Sequence, residues 1–289
     1  MRFLSNAHTH TTWCDGKSTA AEMIGRAREL GFVSLGFSGH GQQNFDSDYA
    51  MDDGREDDYL KELRTLQQQT DDLRIWVGVE EDCLAPQDVK ARHRQQLDYV
   101  LCSSHYVHNP DGSPAQLDGQ WVAIDGSSAH LRKYVELFMD GDGLAMAKHY
   151  YDVFCEGIRQ ARPDIIGHFD LIRKNAVKAQ LFDEKDPAYR RIALDALESV
   201  RGMGVLEINN GGIARGYMET PYPTLELLGA WREMGGDVTI TSDCHYAEHM
   251  NCGFDASMKL LCRAGYRRVL RLGTGDALWQ DERVGLLRA

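Results

Sequence analysis

Apolar runs of strand length recur along this chain, and six of the first seven deliver a histidine or a carboxylate at their C-terminal end. The runs are Arg2–Ala7, Val33–Phe37, Ile75–Val79, Tyr99–Cys102, Ile165–Gly167, Val205–Ile208 and Asp237–Thr241, with a weaker eighth at Val269–Leu272. After them come His8-Thr9-His10, Ser38-Gly39-His40, Glu80, Ser103-Ser104-His105, His168 and Asp243-Cys244-His245. Packing does not call for imidazole or carboxylate at a strand terminus. Between the runs lie segments with helical periodicity: Thr19–Leu30, Asp57–Gln69, Gln87–Gln96, Gly143–Ala161, Pro187–Met203, Thr224–Met234 and Asp255–Ala264. In the first, Ala20, Met23, Ile24, Ala27 and Leu30 share a face, and Ser18 or Thr19 can cap it, with Glu22 completing a capping box from Thr19. Alternating strands and helices predict an α/β fold, a parallel sheet with helices outside. Seven or eight such units point to a TIM-like barrel, complete or distorted. In a parallel barrel all strand C-termini share one face, and that face hosts the active site.

Composition narrows the function. With 289 residues, 43% hydrophobic and 26% charged, the chain can bury a sizeable core as one domain over 1–289. The formal charge of −12 disfavours nucleic acid as a partner. No apolar run suggests a membrane span, and MRFLSNAHTH does not read as a signal peptide. Seven cysteines without CxxC spacing fit a reducing cytoplasm. Two segments break the rhythm. Residues Asn44–Asp58 hold seven acids and one Arg and predict a solvated loop. The stretch from Tyr106 to about Arg132, with its DGSP, DGQ and DGSS turns, predicts a long loop of the kind that often carries function.

His8 and His10 are two apart on extended chain, so both side chains point the same way. Asp243 and His245 repeat that spacing. Imidazole and carboxylate donors suit Zn, Fe or Mn. Together His8, His10, Asp15, His40, Glu80, His105, His168, Asp243 and His245 make nine candidates. One catalytic metal uses about three protein ligands, so nine imply two or three metals sharing a bridging carboxylate. His93, His130 and His149 lack this placement and read as helix or loop residues, whereas His108 and His249 fall where they could edge the site. Cys14, Cys83 and Cys244 flank ligands and read as structural.

HTHTTWCDG, SGH, GVE, SSH, GHFD and SDCH, in this order, resemble the PHP (polymerase and histidinol phosphatase) family from His8 to His245. The resemblance implies a distorted (β/α)7 barrel with three divalent metal ions. Carried over, His8, His10, Glu80 and Asp243 hold the first, and Glu80 bridges to a second that also takes His105 and His168. Asp15, His40 and His245 hold the third. Some family members have His where this chain has Asp15, and a carboxylate is also a competent ligand. Glu81 is the neighbouring alternative to Glu80, but strand alternation turns it the other way. Within the family, DYVL leading to SSHYVH, AIDGS, YYDVFCEGI, DIIGHFDLIRK and EINNGGIARGYMETPYP look most like histidinol-phosphate phosphatases. Polymerase-associated members sit in much longer chains.

For a phosphate monoester such a site supports in-line attack by a metal-activated water. Arg173 and Arg215, both beyond strand ends, are the expected phosphate contacts, since Arg offers a bidentate fork. Asp15 or His245 could protonate the leaving oxygen. The expected substrate is L-histidinol phosphate, a step of histidine biosynthesis. The alternatives are another small phosphomonoester, such as a nucleotide or phosphotyrosine, and a metal-retaining scaffold without catalysis. Asp111, Asp118 and Asp125 in the long loop suit a cationic amino alcohol. The sequence leaves metal identity and oligomeric state open.

Overall fold

A computed structural model describes residues 3–46 and 48–285. Arg2, where the first predicted strand begins, Ser47 in the predicted acidic loop, and the ends of the domain assigned to 1–289 lie outside the described residues. The first half runs β1 (Ser5–Asn6), α1 (Ala20–Leu30), β2 (Ser34–Phe37), α2 (Asp53–Gln69), β3 (Arg74–Asp82), α3 (Gln87–Gln96), β4 (Tyr99–Ser103), β5 (Gln116–Leu117), β6 (Gln120–Trp121) and α4 (Ser128–Phe138). The second runs α5 (Gly143–Ala161), β7 (Ile165–Ile166), α6 (Arg173–Ala176), α7 (Pro187–Ser199), β8 (Val205–Asn209), α8 (Gly211–Ala214), α9 (Leu225–Glu233), β9 (Val238–Thr241), α10 (Phe254–Ala264), β10 (Arg268–Leu272) and β11 (Trp279–Arg283).

The main sheet has nine strands in the order β1-β2-β3-β4-β7-β8-β9-β10-β11. Its pairs are parallel, except that β11 lies antiparallel to β10. The polar edge strand β11, WQDER, carried no alternation from which to predict it. Beyond β1 the chain also meets the far side of the sheet: Thr9 bridges Cys244 in parallel, and Ser34 Oγ donates to Leu272 O (2.7 Å). Ala7, Trp76, Tyr99, Leu101, Ile165 and Leu272 form one apolar cluster between the strands. Tyr99 fits there because Gly36 and Gly78 have no Cβ to collide with it, and its hydroxyl donates to Ala7 O (2.7 Å). The larger core lies between sheet and helices, with Met23, Tyr59, Phe154, Leu197, Trp231 and Leu261 buried in it. Among the described residues no helix is long and apolar enough to cross a membrane.

Local chemistry explains where the elements start and stop. Thr19 and Glu22 form the predicted capping box, and Gly31 at φ +72° closes α1. The structure corrects the acidic loop: α2 begins at Asp53, with Asp52 accepting from Arg55 N (2.9 Å). Acidic residues there favour a helix N-terminus through the macrodipole, so that run belongs partly to a helix. The long loop is corrected likewise. Asp118 and Gly119, both at positive φ, turn the β5–β6 hairpin, and Ser127 caps α4. Strand β3 extends past Val79 to Asp82 because β4 pairs with it through Glu80, Glu81 and Asp82. Glu80 therefore sits within a strand rather than after it.

Candidate active site

The nine predicted donors come together at the C-terminal side of the parallel strands. Glu80, buried at 2% exposure, is the hub. Its Oε2 lies 3.2 Å from His8 Nε2, 3.5 Å from His10 Nε2 and 3.0 Å from His40 Nδ1. Its Oε1 lies 3.3 Å from His105 Nε2 and 3.1 Å from His168 Nε2. Asp243 Oδ1 stands 3.7 Å from His8 Nε2 and 3.3 Å from His10 Nε2. At the other end Asp15 Oδ2 meets His245 Nε2 at 2.9 Å, and Asp15 Oδ1 is 3.7 Å from His40 Nε2. Strand alternation produces the first part of this: Thr9 turns away to donate to Gly36 O, so His8 and His10 face inward together.

Charges follow from that crowding. Burial opposes ionisation of Glu80, but His8, His40 and His105 hold its carboxyl well below the usual range. Burial likewise opposes protonation of His8, yet Glu80, Glu207 and Asp243 outweigh it and hold its pKa well above the ordinary value. His10 is pushed down to about 3 by burial and by the neighbouring His245 and His40. It therefore presents a lone pair at neutral pH.

The donor set fits divalent cations. Three groups of donors converge: His10, Asp15, His40 and His245; His8, His10 and Asp243; and His40, Glu80 and His105. Ring nitrogens face one another, His8 Nε2 to His10 Nε2 at 3.1 Å and His105 Nε2 to His168 Nε2 at 3.2 Å. Asp15 Oδ1 is buried with no hydrogen-bond partner among the described residues. Outward nitrogens are held by carboxylates: His8 Nδ1 by Glu207 (2.9 Å) and His105 Nδ1 by Asp82 (3.0 Å). That arrangement orients the inward Nε2 lone pairs, as around protein-bound metals.

Sequence reasoning missed Glu207 and Asp82. Glu207 is an acid inside the otherwise apolar strand VLEIN, a signal that could have found it. Asp82 follows Glu80 by two, so alternation places it on the same side. Glu81 turns the other way, as expected, and its Oε2 binds His93 Nδ1 (2.8 Å), whose Nε2 meets Glu56. His130 and His149 bind the carbonyls of Leu117 and His108. His108 and His249, expected at the edge, do not join the converging groups. Cys14 Sγ lies 3.5 Å from His10 Nδ1, and burial pushes its thiol up to about 12. Cys83 and Cys244 are also buried and form no disulfide among the described residues.

The arginines divide. In Arg173, Nε is held by Glu184 (2.8 Å), Nη1 by Asp170 (3.2 Å) and Nη2 by Thr220 (3.3 Å). With its side chain 4% exposed, that guanidinium is held at all three nitrogens by protein partners. Arg215 reaches the site. Its Nη2 donates to Asp243 Oδ2 (3.0 Å), and its Nη1 to Asp243 O (3.0 Å) and His245 Nδ1 (3.0 Å). Those contacts use three of five N–H donors. His245 Nδ1 also lies 3.2 Å from Asp243 O, and its Nε2 faces Asp15. Of the three loop acids, Asp111 and Asp118 are taken by Ser113 and Lys133 at the surface. Asp125 lies inward, 2.9 Å from Lys174, and His105 and His168 help hold its carboxyl low after burial and Lys174 are counted.

The model of the PHP domain matches residues 6–211. The chain belongs to the PHP domain family. The span covers the strand end of every candidate donor of this PHP protein except Asp243 and His245. A protein of Schizosaccharomyces pombe described as "Probable histidinol-phosphatase" is 23% identical over 292 residues, covering 95% of this chain and 90% of its own. One of Deinococcus radiodurans with the same description is 26% identical over 277 residues, covering 93% and 96%. The crystal structure of histidinol phosphate phosphatase from Lactococcus lactis subsp. lactis, complexed with Zn, L-histidinol and phosphate, superposes with a TM-score of 0.67 at 17% identity. That alignment covers 93% of this chain and 97% of the other. At that identity the likeness concerns the fold.

Proposed function

We propose that this PHP protein is a metal-dependent phosphomonoesterase that hydrolyses L-histidinol phosphate to L-histidinol and phosphate. The observation that carries this reading is the convergence of six imidazoles and three carboxylates at one end of the parallel strands. The names of the relatives supply the substrate. The continuous sheet, with Thr9 bridged to Cys244, supports one domain whose strands close into a distorted (β/α)7 barrel. Seven unpaired cysteines among the described residues fit a cytoplasmic enzyme.

The proposed ligands of three divalent ions are His8, His10, Glu80 and Asp243; Glu80, His105 and His168; and Asp15, His40 and His245. Bound cations of the Zn, Fe or Mn type supply Lewis-acid charge neutralisation and make water a competent nucleophile near neutral pH. The protein supplies the rest. Glu207 and Asp82 fix the rings of His8 and His105. Arg215 fixes Asp243 and His245, and its two remaining donors offer the phosphoryl group hydrogen bonds. Asp15 or His245 is placed to protonate the leaving oxygen if it is not engaged as a ligand. Asp125 offers a carboxylate to the cationic end of histidinol, a feature that favours this substrate over a nucleotide.

A two-ion arrangement has one observation in its favour. Where His245 Nδ1 accepts from Arg215 rather than donating to Asp243 O, the ring proton sits on Nε2, which then cannot bind a cation. Elemental analysis of protein purified without chelator decides the count: three equivalents for the full set, two if His245 serves only as proton donor. One equivalent or fewer in a fully active protein overturns the multinuclear reading.

A further inference from the structure

The segment between β2 and α2 folds over the donor cluster. Met51 N donates to His40 O (3.2 Å), tying the segment back to the strand end. Asp46, at φ +52°, accepts from Tyr106 Oη (2.6 Å), and Phe45 sits edge-on to Tyr106 and Trp121, with centroids at 4.9 and 5.2 Å. Tyr49 N donates to Asp46 O (3.1 Å). These ties fix Tyr49, whose ring lies 3.9 Å from that of His40 and edge-on to His105 at 5.6 Å.

The Tyr49 hydroxyl is buried and has no hydrogen-bond partner among the described residues. Leaving a buried hydroxyl unmatched is costly, and such groups persist where something else takes the bond. A phenol, with an ordinary value near 10, is protonated at neutral pH. A donor with no acceptor therefore sits over two ligand imidazoles. Resting on the phosphomonoesterase reading, we propose that Tyr49 Oη donates a hydrogen bond to a phosphoryl oxygen of the substrate and of the product phosphate. Phosphoryl oxygens accept only, whereas the ammonium of histidinol would leave the phenol proton unmatched. The position over His40 and His105 also puts the hydroxyl at the metal end of the pocket, where the phosphoryl group belongs.

The test is Tyr49→Phe in the metal-loaded full chain, which keeps the ring on His40 and removes one atom. Inorganic phosphate binding is measured by calorimetry, with kcat/KM on L-histidinol phosphate and on p-nitrophenyl phosphate. The dissociation constant for phosphate should rise about ten- to a hundredfold, the range for a hydrogen bond to a charged group. Both kcat/KM values should fall in parallel, with metal content unchanged. Wild-type phosphate affinity in the variant overturns the proposal. So does a loss confined to L-histidinol phosphate, which would place Tyr49 at the organic end, or a loss of metal, which would make it a support for His40. If the wild type binds phosphate and cleaves only the aryl ester, the substrate assignment fails, and the Tyr49 bond is judged on phosphate and that ester. If the wild type neither binds phosphate nor cleaves either ester, both readings fail.

Discussion

Glu207→Gln is the substitution whose outcome the geometry constrains most. Glu207 is fully buried and takes four donors: His8 Nδ1 (2.9 Å) and Thr241 Oγ1 (2.7 Å) on Oε2, and His168 N (2.6 Å) and Asn209 Nδ2 (2.9 Å) on Oε1. Glutamine keeps one oxygen and converts the other to a donor. The backbone N–H of His168 and the Asn209 amide cannot stop donating there, so the new NH₂ must face His8 and Thr241. The threonine hydroxyl rotates to accept. His8 accommodates the NH₂ only by moving its ring proton to Nε2, the atom aimed at Glu80 and His10. The fold loses on the order of 1 kcal/mol for one rearranged hydrogen bond. Cation affinity loses about ten- to a hundredfold, the usual effect of removing a carboxylate behind a ligating histidine. Competition against a chelator reads the second quantity, and thermal unfolding in chelator reads the first. A folded variant that binds Zn or Mn as tightly as the wild type would refute the role given to Glu207.

Arg215→Lys keeps the charge and loses the fork, so kcat/KM on L-histidinol phosphate and on p-nitrophenyl phosphate should fall together by about ten- to a hundredfold; a loss on the first alone moves Arg215 to the organic end. Asp125→Asn should lower kcat/KM about tenfold for L-histidinol phosphate and leave the aryl ester unaffected, and equal losses on both would contradict its assignment. Buried His93 has its pKa raised to about 9: burial opposes this, and Glu56 and Glu81 overcome it. Its imidazolium stabilises the fold fully below the unfolded value near 6.5, and the contribution is lost as pH rises through 9, on the order of 3 kcal/mol in all. Urea unfolding in chelator at about pH 6 and pH 9.5 should show His93→Gln costing stability at the lower pH and far less at the higher; an equal cost at both would remove His93 from the pH dependence.

The proposed ligands were legible because metal chemistry demands residue types that strand ends do not otherwise need. His8, His10, His40, Glu80, His105, His168, Asp243 and His245 each stand beside a run whose apolar character marks it as buried strand, and Asp15 was found through HTHTTWCDG. The supports were less legible. Asp82 and Glu207 lie within strands that read as core or boundary, and only pairing with His105 and His8 reveals their part. Arg173 looked like Arg215 in sequence, each a few residues past a strand, and differs only because Asp170 and Glu184 fold against it. The acidic run before α2 read as a solvated loop, and the Asp52 cap turns its part from Asp53 onward into a helix N-terminus. Tyr49 had no local signal, since its place over His40 depends on Asp46 and Phe45 reaching Tyr106 and Trp121 from a segment sixty residues away in sequence.

The most direct measurement of the central claim is phosphate release by the metal-loaded protein from a panel of monoesters: L-histidinol phosphate, phosphotyrosine, nucleoside monophosphates and p-nitrophenyl phosphate, each with and without chelator. The account predicts the highest kcat/KM for L-histidinol phosphate, by tenfold or more, abolished by chelator and restored by Zn, Fe or Mn. A nucleotide or phosphotyrosine turned over faster, or turnover indifferent to chelator, would contradict it.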